Sequence, residues 1–451
     1  MQRSLLLSVS AFLVLCITVI LALNLLRPST ARADLLRSST VLAGPPGLSV
    51  SGNQLLAGGA PITLHGVNRS GTEYACIQGW GIEDGPMDQT SENAIAAWGA
   101  NLVRIPLNED CWLGINGVNP AYGGSNYISA IQTLVNEVTA AGMYAELSLM
   151  WAAPGSIQAT YQTGAPDEDH SPAMWASLAS TFAGDPDVIL APWGEPTVDA
   201  NCLLSGGTCA VPYDANYIPA TYDTAGMQQA VTVMRQAGYH GVISIPGINY
   251  ANDLTQWLSH EPSDPDHQLI AEAHIYGNNS CGAENNGSCL VSTLDPVAAQ
   301  VPLLLGETGE TYDESECSGN NEQIILNWAG SEHVSWAAWT WNTWGDCSSL
   351  IQDYSGTVQS GDAFAAVIHT QMLAYGPPTT PAPTKTSGNP TATPVPPAPS
   401  TVPPISTPTA TRPPASPAGV QGRSRVFDTA LLLVVLACTP LGLFLILRNR
   451  T

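Results

Sequence analysis

The stretch Asn101-Leu102-Val103-Arg104-Ile105-Pro106-Leu107 is an apolar run of strand length that contains one charged residue. An amphipathic segment follows at Asn126–Ala141, and a second apolar run, Met143–Trp151, comes directly after it. Short apolar runs that alternate with helical patterns are typical of parallel strands joined by helices. This strand–helix–strand unit predicts an α/β fold. The number of such units in the rest of the chain indicates which α/β fold it is.

The same alternation extends on both sides of this unit. Helical patterns recur at Pro172–Ala183 and Thr224–Ala237. Six further strand-like runs are Ile62–Val67, Val188–Trp193, Gly241–Ile245, Gln268–Ile275, Val301–Gly306 and His333–Trp341. Eight strands that alternate with helices predict a (β/α)8 TIM barrel over residues 45–376. An open doubly wound sheet is the alternative, but the phosphate loops GxGxxG and GxxxxGK[ST], typical of such folds, are absent from the sequence.

The N-terminal segment has the features of an export signal. Arg3 precedes an apolar run, Leu5–Leu26, and Ala31-Arg32-Ala33 resembles a cleavage site. We therefore expect residues 1–33 to be a signal peptide. The apolar run is also long enough to cross a bilayer, so an uncleaved signal anchor is the alternative.

The C-terminal part of the chain predicts a tether. Residues 377–422 consist mostly of Pro, Thr, Ser and Ala and predict an extended linker. Residues 427–447 are mostly apolar and precede Arg448 and Arg450, which is the pattern of a transmembrane helix with its basic end inside. A glycolipid-anchor signal is the alternative, but it would not normally end in two arginines. We expect the central domain to lie outside the cell, anchored to the membrane.

The central domain is strongly acidic. Between residues 45 and 376 the only lysines or arginines are Arg69, Arg104 and Arg235. Of the 37 Asp and Glu residues in the chain, 35 lie in the same range, so its formal charge is 3 − 35 = −32. Such a surface repels phosphate backbones, so we expect no nucleic-acid partner. It suits a neutral or cationic partner, or an acidic medium.

The cysteines indicate disulfides. Eight lie in the central domain, and an even number in an exported domain is typical of disulfide bonding. Proximity along the chain pairs 76–111, 202–209, 281–289 and 317–347, although spacing alone does not determine connectivity. A zinc site is the alternative for these cysteines, but no CxxC or HxxxH spacing occurs.

Polar residues follow several of the predicted strands. In a TIM barrel, catalytic groups lie at the C-terminal ends of the strands. Glu195 follows the fourth strand and Glu307 follows the seventh, while Arg104 and His274 lie near the ends of the second and sixth. A pair of carboxyl groups is what glycoside hydrolysis requires. The sequence therefore predicts a glycosidase site between these two glutamates.

Six motifs, in order along the chain, resemble those of glycoside hydrolase family 5, a cellulase-like family. They are Leu64-His65-Gly66-Val67-Asn68-Arg69-Ser70-Gly71, Asn101-Leu102-Val103-Arg104-Ile105-Pro106, Trp193-Gly194-Glu195-Pro196, Ala273-His274-Ile275-Tyr276, Leu305-Gly306-Glu307-Thr308-Gly309 and Trp336-Ala337-Ala338-Trp339-Thr340-Trp341. The resemblance covers about residues 48–375. It implies a retaining glycosidase acting on a β-linked polysaccharide such as a β-glucan, with Glu195 as acid/base and Glu307 as nucleophile.

The resemblance also implies supporting roles. We expect Arg104 to orient Glu307, and Tyr276 to hydrogen-bond it and keep it ionised while Glu195 is held protonated. His274 is expected in the site, with a core histidine as the alternative. Trp339 and Trp341 share a strand face, and we expect Trp339 to be the surface on which a sugar ring stacks. His65 and Asn68 are further expected site residues, although both would equally complete the first strand. We expect a monomer that needs no metal or organic cofactor.

Two positions depart from the family pattern. Gly194 stands where the family has an Asn that binds the sugar 2-hydroxyl, and Met150 stands where it often has a His. Both lie near Glu195, so an altered substrate, a slow enzyme or a non-catalytic sugar-binding surface protein remain alternatives. A structural stalk protein is a more distant one.

Overall fold

The computed structural model describes residues 44–212, 220–277, 287–310, 317–361 and 363–376. The predicted signal segment, linker and C-terminal apolar segment lie outside these residues. Within the described ranges, no helix combines the length and the apolar character needed to cross a membrane.

Eight parallel strands close into a barrel, which confirms the predicted fold. In chain order the barrel strands are β1 His65–Asn68, β2 Leu102–Asn108, β3 Tyr144–Trp151, β4 Val188–Ala191, β5 Ile243–Pro246, β6 Leu269–Tyr276, β7 Leu303–Gly309 and β8 Ser335–Ala338. Each strand pairs with its neighbours in sequence, and β8 pairs with β1 to complete the ring. All eight predicted strands are present, with ends that differ by a few residues.

Helices surround the barrel. The main ones are α1 Gln89–Ala97, α2 Ser125–Ala140, α3 Ser171–Thr181, α4 Met227–Gln236, α5 Asn320–Glu332 and α6 Ala363–Tyr375. Shorter helical turns span Ala75–Gln78, Glu109–Leu113, Ala200–Ser205, Trp257–Ser259, Leu290–Leu294 and Asp295–Ala298. In α2 the buried residues Tyr127, Ile131, Leu134 and Val138 recur every three or four positions, so one face of the helix packs on the barrel.

The N-terminal end of the barrel is closed by a small antiparallel sheet formed by Leu48–Ser51, Gln54–Ala57 and Ala60–Pro61. Leu48 and Leu55 of this sheet pack in an apolar cluster with residues at the starts of the barrel strands, including Leu102 and Leu304. Because this end is filled with apolar side chains, polar chemistry is left to the opposite, C-terminal end. Two antiparallel ribbons, Gly207–Ala210 with Thr221–Thr224 and Ile351–Asp353 with Thr357–Val358, complete the strands.

Three predicted disulfides are confirmed: 76–111, 202–209 and 317–347. Cys289 is also disulfide-bonded, and its predicted partner Cys281 lies outside the described residues. The 76–111 bond joins the segments that follow β1 and β2, so it constrains two loops on the C-terminal side of the barrel.

Candidate active site

The C-terminal ends of the strands bring the two predicted glutamates together. Glu307 lies in β7, and Glu195 lies four residues beyond the end of β4. One oxygen of each carboxyl group and a ring nitrogen of His274 all lie within 4.8 Å of one another. The mouth of the barrel therefore holds a close pair of carboxyl groups with an imidazole beside them.

Two donors hold the Glu307 carboxylate. Arg104 Nη1 donates to its Oε1 at 2.8 Å, and Tyr276 Oη donates to its Oε2 at 2.6 Å. Burial and the nearby charge of Glu307 raise the pKa of Tyr276 well above its usual value, so the phenol keeps its proton. Glu307 is only 4% exposed, and both of its oxygens accept hydrogen bonds that stabilise a negative charge.

The Glu195 carboxyl lies between His274 and a loop residue. His274 Nδ1 is 2.8 Å from its Oε1, and Gln162 Nε2 donates to its Oε2 at 2.6 Å. Gln162 belongs to the loop between β3 and α3, and the sequence alone did not indicate it. Burial raises the pKa of Glu195, but the hydrogen bond and charge of His274 outweigh it, and the pKa is lowered overall.

The expectation that Glu195 is held protonated is therefore corrected. Burial lowers the pKa of His274, but the charge of Glu307 and the hydrogen bonds to Glu195 and Glu272 outweigh it and raise the pKa to about 10. At neutral pH the proton of this pair lies on the imidazole. The prediction failed because the sequence alone does not show that three carboxylates, those of Glu195, Glu272 and Glu307, surround His274 and charge it.

Arg104 connects the site to two carboxyl groups that the sequence analysis missed. Its Nε lies 3.3 Å from Glu272 and 3.7 Å from Glu146, and all three side chains are fully buried. Burial raises the pKa of Glu272, but Arg104 and a hydrogen bond from His274 lower it overall. Burial and the charge of Glu272 raise the pKa of Glu146 well above its usual value. The strand period contained the signal, because Glu272 lies two residues before His274 on the same face of β6.

Asn68 supports this arrangement from the first strand. It accepts a hydrogen bond from Arg104 Nη1 at 2.8 Å and donates to the Gly306 carbonyl at 2.9 Å. Asn68 therefore orients the arginine that binds Glu307.

His65 is not part of the site, which corrects its expected placement. Its Nε2 lies 2.9 Å from the Gly99 carbonyl oxygen, and its ring stacks on Tyr375 of α6 with the centroids 4.0 Å apart. Asn68, three residues later, faces the barrel interior, so alternation along the strand turns His65 outward. Burial lowers the pKa of His65 to about 4, and this histidine is a packing residue.

The aromatic residues separate into packing and exposed groups. Trp339 is partly exposed, whereas Trp341 is 1% exposed and meets the edge of Trp98. Trp80 and Trp344 are about half exposed, and both rings lie within 6.3 Å of the Tyr74 ring, measured between centroids. These loop residues follow the C-terminal ends of β1 and β8, on the same side of the barrel as the two glutamates.

The two departures from the family pattern are in contact. A Cβ built on Gly194 would overlap the sulfur of Met150, and the same sulfur accepts a hydrogen bond from Arg104 Nη2 at 3.4 Å. The methionine occupies the space that a side chain at position 194 would need. The two substitutions are therefore complementary in shape.

Comparison with known proteins identifies a family and several similar structures. The family described as cellulase (glycosyl hydrolase family 5) matches residues 55–345. The β-glucanase SdGluc5_26A from Saccharophagus degradans, also solved in complex with cellotetraose, has a similar structure, with a TM-score of 0.55 and 17% sequence identity. The match covers 73% of this chain and 94% of the β-glucanase chain. The catalytic domain of Thermobifida fusca endoglucanase Cel5A (E5) gives a TM-score of 0.52 at 17% identity, over 72% and 97%. At this identity the likeness shows the fold. No curated protein matches the chain.

Proposed function

Because the chain belongs to the cellulase family, glycosyl hydrolase family 5, we propose that it hydrolyses a β-linked glucan with retention of the anomeric configuration. Membership makes the protein a glycosidase that acts on O-glycosyl compounds. The proposal adds the substrate class, the stereochemistry and the residues: Glu307 is the nucleophile and Glu195 the acid/base.

The spacing of the two carboxyl groups carries the proposal. Their nearest oxygens lie within 4.8 Å of each other. Retaining glycosidases hold the two groups about 5–5.5 Å apart, whereas inverting enzymes leave about 6.5–9.5 Å for a water molecule. An oxygen–oxygen separation of at most 4.8 Å is in line with the shorter, retaining spacing and supports direct attack by one carboxylate.

Glu307 has the environment of a nucleophile. Arg104 and Tyr276 each donate a hydrogen bond to one carboxylate oxygen and fix the orientation of the group. In the first step a Glu307 oxygen forms a bond to the anomeric carbon as the glycosidic C–O bond breaks, which gives a covalent glycosyl-enzyme. Neutral Tyr276 donates to the carboxylate and adds no charge.

The Glu195–His274 pair supplies the proton. It holds one proton, which rests on His274 and moves along the 2.8 Å hydrogen bond to Glu195 Oε1. Glu195 then protonates the departing glycosidic oxygen. In the second step Glu195 removes a proton from the water that attacks the anomeric carbon, so Glu307 is released and the pair regains its proton.

Two features support a neutral glucan as the substrate. The partly exposed rings of Trp80, Trp339 and Trp344 suit the apolar faces of pyranose rings. The formal charge of −32 over residues 45–376 disfavours polysaccharides that carry carboxylate or sulfate groups. The cellotetraose complex of the similar β-glucanase is in line with this choice.

The proposal is tested by supplying the full-length chain with a panel of β-glucans, mannans, xylans and a polyuronide, and by following the anomeric configuration of the first product by NMR. We expect hydrolysis of a β-glucan with initial release of the β-anomer and no action on the polyuronide. Initial release of the α-anomer would exclude retention. Binding of β-glucan without hydrolysis would instead support a non-catalytic sugar-binding protein, the alternative that the departures from the family pattern at Gly194 and Met150 allow.

We further propose that the enzyme acts at the cell surface, tethered by the segment 427–447 through the linker 377–422. The disulfides are consistent with an extracellular enzyme. Deleting residues 423–451 should move activity from the membrane fraction to the medium. If the shortened chain still sediments with membranes, the apolar run near the N-terminus is the anchor.

A further inference from the structure

A second cluster of ionisable side chains lies beside the barrel mouth, separate from Glu195 and Glu307. Glu109 is the first residue after β2, whereas Asp167 and His170 belong to the loop between β3 and α3. One ligand atom from each of the three lies within 4.8 Å of the other two. Glu109 and Asp167 are fully buried, and the His170 side chain is 23% exposed.

Outside the neighbouring carboxyl groups of Glu109, Asp167 and Asp169, three polar atoms of this cluster have no hydrogen-bond partner among the described residues: Glu109 Oε1, Asp167 Oδ2 and His170 Nδ1. The remaining oxygens are used, because Ser171 Oγ donates to Glu109 Oε2 at 2.5 Å and the His170 backbone N–H donates to Asp167 Oδ1 at 2.8 Å. His170 Nδ1 is 3.8 Å from Glu109 Oε1 and 3.6 Å from Asp167 Oδ1, too far for hydrogen bonds. Buried polar atoms are rarely left in this state.

The cluster also lacks a compensating arginine. Between residues 45 and 376 the chain has only three, and each is ion-paired elsewhere: Arg69 with Glu83, Arg104 with Glu307 and Arg235 with Asp264. Burying two carboxylates without a positive partner is costly. A proton shared between Glu109 and Asp167 would relieve their repulsion, but it would leave His170 Nδ1 without a partner.

We propose that Glu109, Asp167 and His170 bind a divalent transition-metal ion of the Zn²⁺ type. Two carboxylates and one imidazole are three suitable ligands for Zn²⁺, whereas Ca²⁺ and Mg²⁺ favour oxygen ligands alone. With metal–ligand distances of about 2.0–2.2 Å and tetrahedral angles, ligand atoms lie about 3.4 Å apart. The unpaired Glu109 Oε1 lies 3.8 Å from His170 Nδ1, close to that value. Asp167 Oδ1 lies 3.6 Å from the same nitrogen and accepts the His170 backbone N–H, so Oδ2 of the same carboxylate is the atom free to bind the ion. The exposed edge of His170 gives the ion a route from solvent.

The metal would fix a loop that reaches the proposed acid/base. It would join the end of β2 to the loop 152–170, which also carries Gln162, the hydrogen-bond donor to Glu195. The link between metal and rate rests on the proposed role of Glu195, whereas metal binding itself does not.

The test is calorimetric titration of the full-length, EDTA-stripped chain with Zn²⁺. We expect the unaltered chain to bind one equivalent that His170→Ala loses, or binds at least about 100-fold more weakly, since even residues outside the ligand set cost 10–100-fold. The matched control is His240→Ala, because His240 Nδ1 also faces a carboxylate, Asp266 at 2.7 Å, and it should retain the equivalent. Glu307→Gln should retain it too, which separates this site from the group Glu195, His274 and Glu307.

Circular dichroism checks that each variant folds, and Asp167→Asn replaces His170→Ala if the latter does not. Equal Zn²⁺ binding by the unaltered chain and by His170→Ala would overturn the proposal. Absence of Zn²⁺ binding by the unaltered chain would also overturn it, and a proton shared between Glu109 and Asp167 would then account for the cluster. Restoration of kcat by Zn²⁺ in the stripped chain would support the link to Gln162. A chain that binds Zn²⁺ through His170 and hydrolyses no glycan would retain the metal site and contradict the proposed function.

Discussion

The two sides of the barrel mouth differ in how closely they follow the pattern of glycoside hydrolase family 5. The side around Glu307, here the nucleophile side, consists of Arg104, Tyr276 and Glu307. All three lie within barrel strands and match the motifs of the family. Their hydrogen bonds join strands that the closed barrel already holds in register. Little freedom is left for these residues to change.

The side around Glu195, here the acid/base side, is built differently. Glu195 lies beyond the end of β4, and Gln162, which binds it, comes from a loop. Gly194 and Met150 replace the residues that the family usually has, and they fit each other in shape. We infer that the nucleophile side keeps the residues of the family motifs, whereas the acid/base side has been rebuilt around Gly194 and Met150.

The largest expected effect is on the nucleophile side. Glu307→Gln keeps the size of the side chain and removes its charge, so kcat should fall by at least about 10³-fold, equivalent to about 4 kcal/mol. Binding of the substrate, measured by calorimetry, should change little. The exposed Glu332→Gln is the matched control and should retain full activity. A rate near normal in Glu307→Gln would refute the assigned nucleophile.

The next effect concerns the rebuilt pair. In Gly194→Asn the new side chain would overlap the Met150 sulfur and displace Glu195, its neighbour. A misplacement of about 1 Å can cost about 10²-fold, so we expect kcat/KM on a β-glucan to fall by about 10- to 100-fold. Steady-state kinetics measures this fall in kcat/KM, with the β-glucan of the substrate panel that the unaltered chain hydrolyses fastest.

The double variant Gly194→Asn, Met150→Ala sharpens this result. Removing the methionine sulfur makes room for the asparagine, so the double variant should be faster than Gly194→Asn alone. Met150→Ala by itself is the control for lost packing, with melting temperatures recorded for all three. A rate gain in Gly194→Asn alone would mean that Gly194 has simply lost the contact that an asparagine makes with the sugar. The acid/base side would then be weakened and not rebuilt.

Two buried glutamates below the site give a prediction with its own control. Glu272 accepts from His274 and has a lowered pKa, so it is ionised at neutral pH; burial and the charge of Glu272 raise the pKa of Glu146, which favours the neutral form of that carboxyl. Glu272→Gln should therefore lower the pKa of His274 and reduce kcat/KM by about 10-fold, as expected when a hydrogen-bond acceptor loses its charge. Glu146→Gln replaces a neutral group by a neutral one and should have little effect.

The pH profile distinguishes positioning from a general loss of structure. The pKa of His274 in the folded chain is raised to about 10, so the proton of the pair is present at neutral pH and is lost as the pH rises through about 10. In Glu272→Gln that loss should begin earlier, with the alkaline limb of kcat/KM about one to two units lower. An unchanged limb would mean that Glu272 only packs.

The barrel and the nucleophile side could be predicted from the sequence, because both follow from strand periodicity. Arg104, Tyr276 and Glu307 all lie in regular strands, Tyr276 and Glu307 toward the C-terminal ends, and neighbouring strands of a closed barrel bring such residues together. The same rule could have revealed Glu272, and it would have turned His65 outward once the first strand was known to include Asn68. Both errors, the missed Glu272 and the misplaced His65, arose because the sequence of a short strand does not define where the strand ends or which residues face the barrel interior.

The acid/base side could not be predicted in the same way. Gln162, Asp167 and His170 come from a loop whose path depends on contacts with distant segments, such as the one that follows β2. The protonation of Glu195 depends on the charges around His274, and these come from three different strands or loops. Such many-body effects have no signature in local sequence.

The smallest expected effect tests whether this loop contributes to the acid/base side at all. Gln162 donates a 2.6 Å hydrogen bond to Glu195 Oε2 and is partly exposed, so water can replace part of that interaction in Gln162→Ala. The net value of such a bond, about 0.5–1.5 kcal/mol, corresponds to a fall in kcat of about 2- to 10-fold. Gln158→Ala is the matched control, because Gln158 lies on the same loop and donates to the Asn116 carbonyl, away from Glu195. Equal kinetics for the two variants would show that the loop only packs beside the site, and the acid/base side would then rest on Gly194, Met150 and His274.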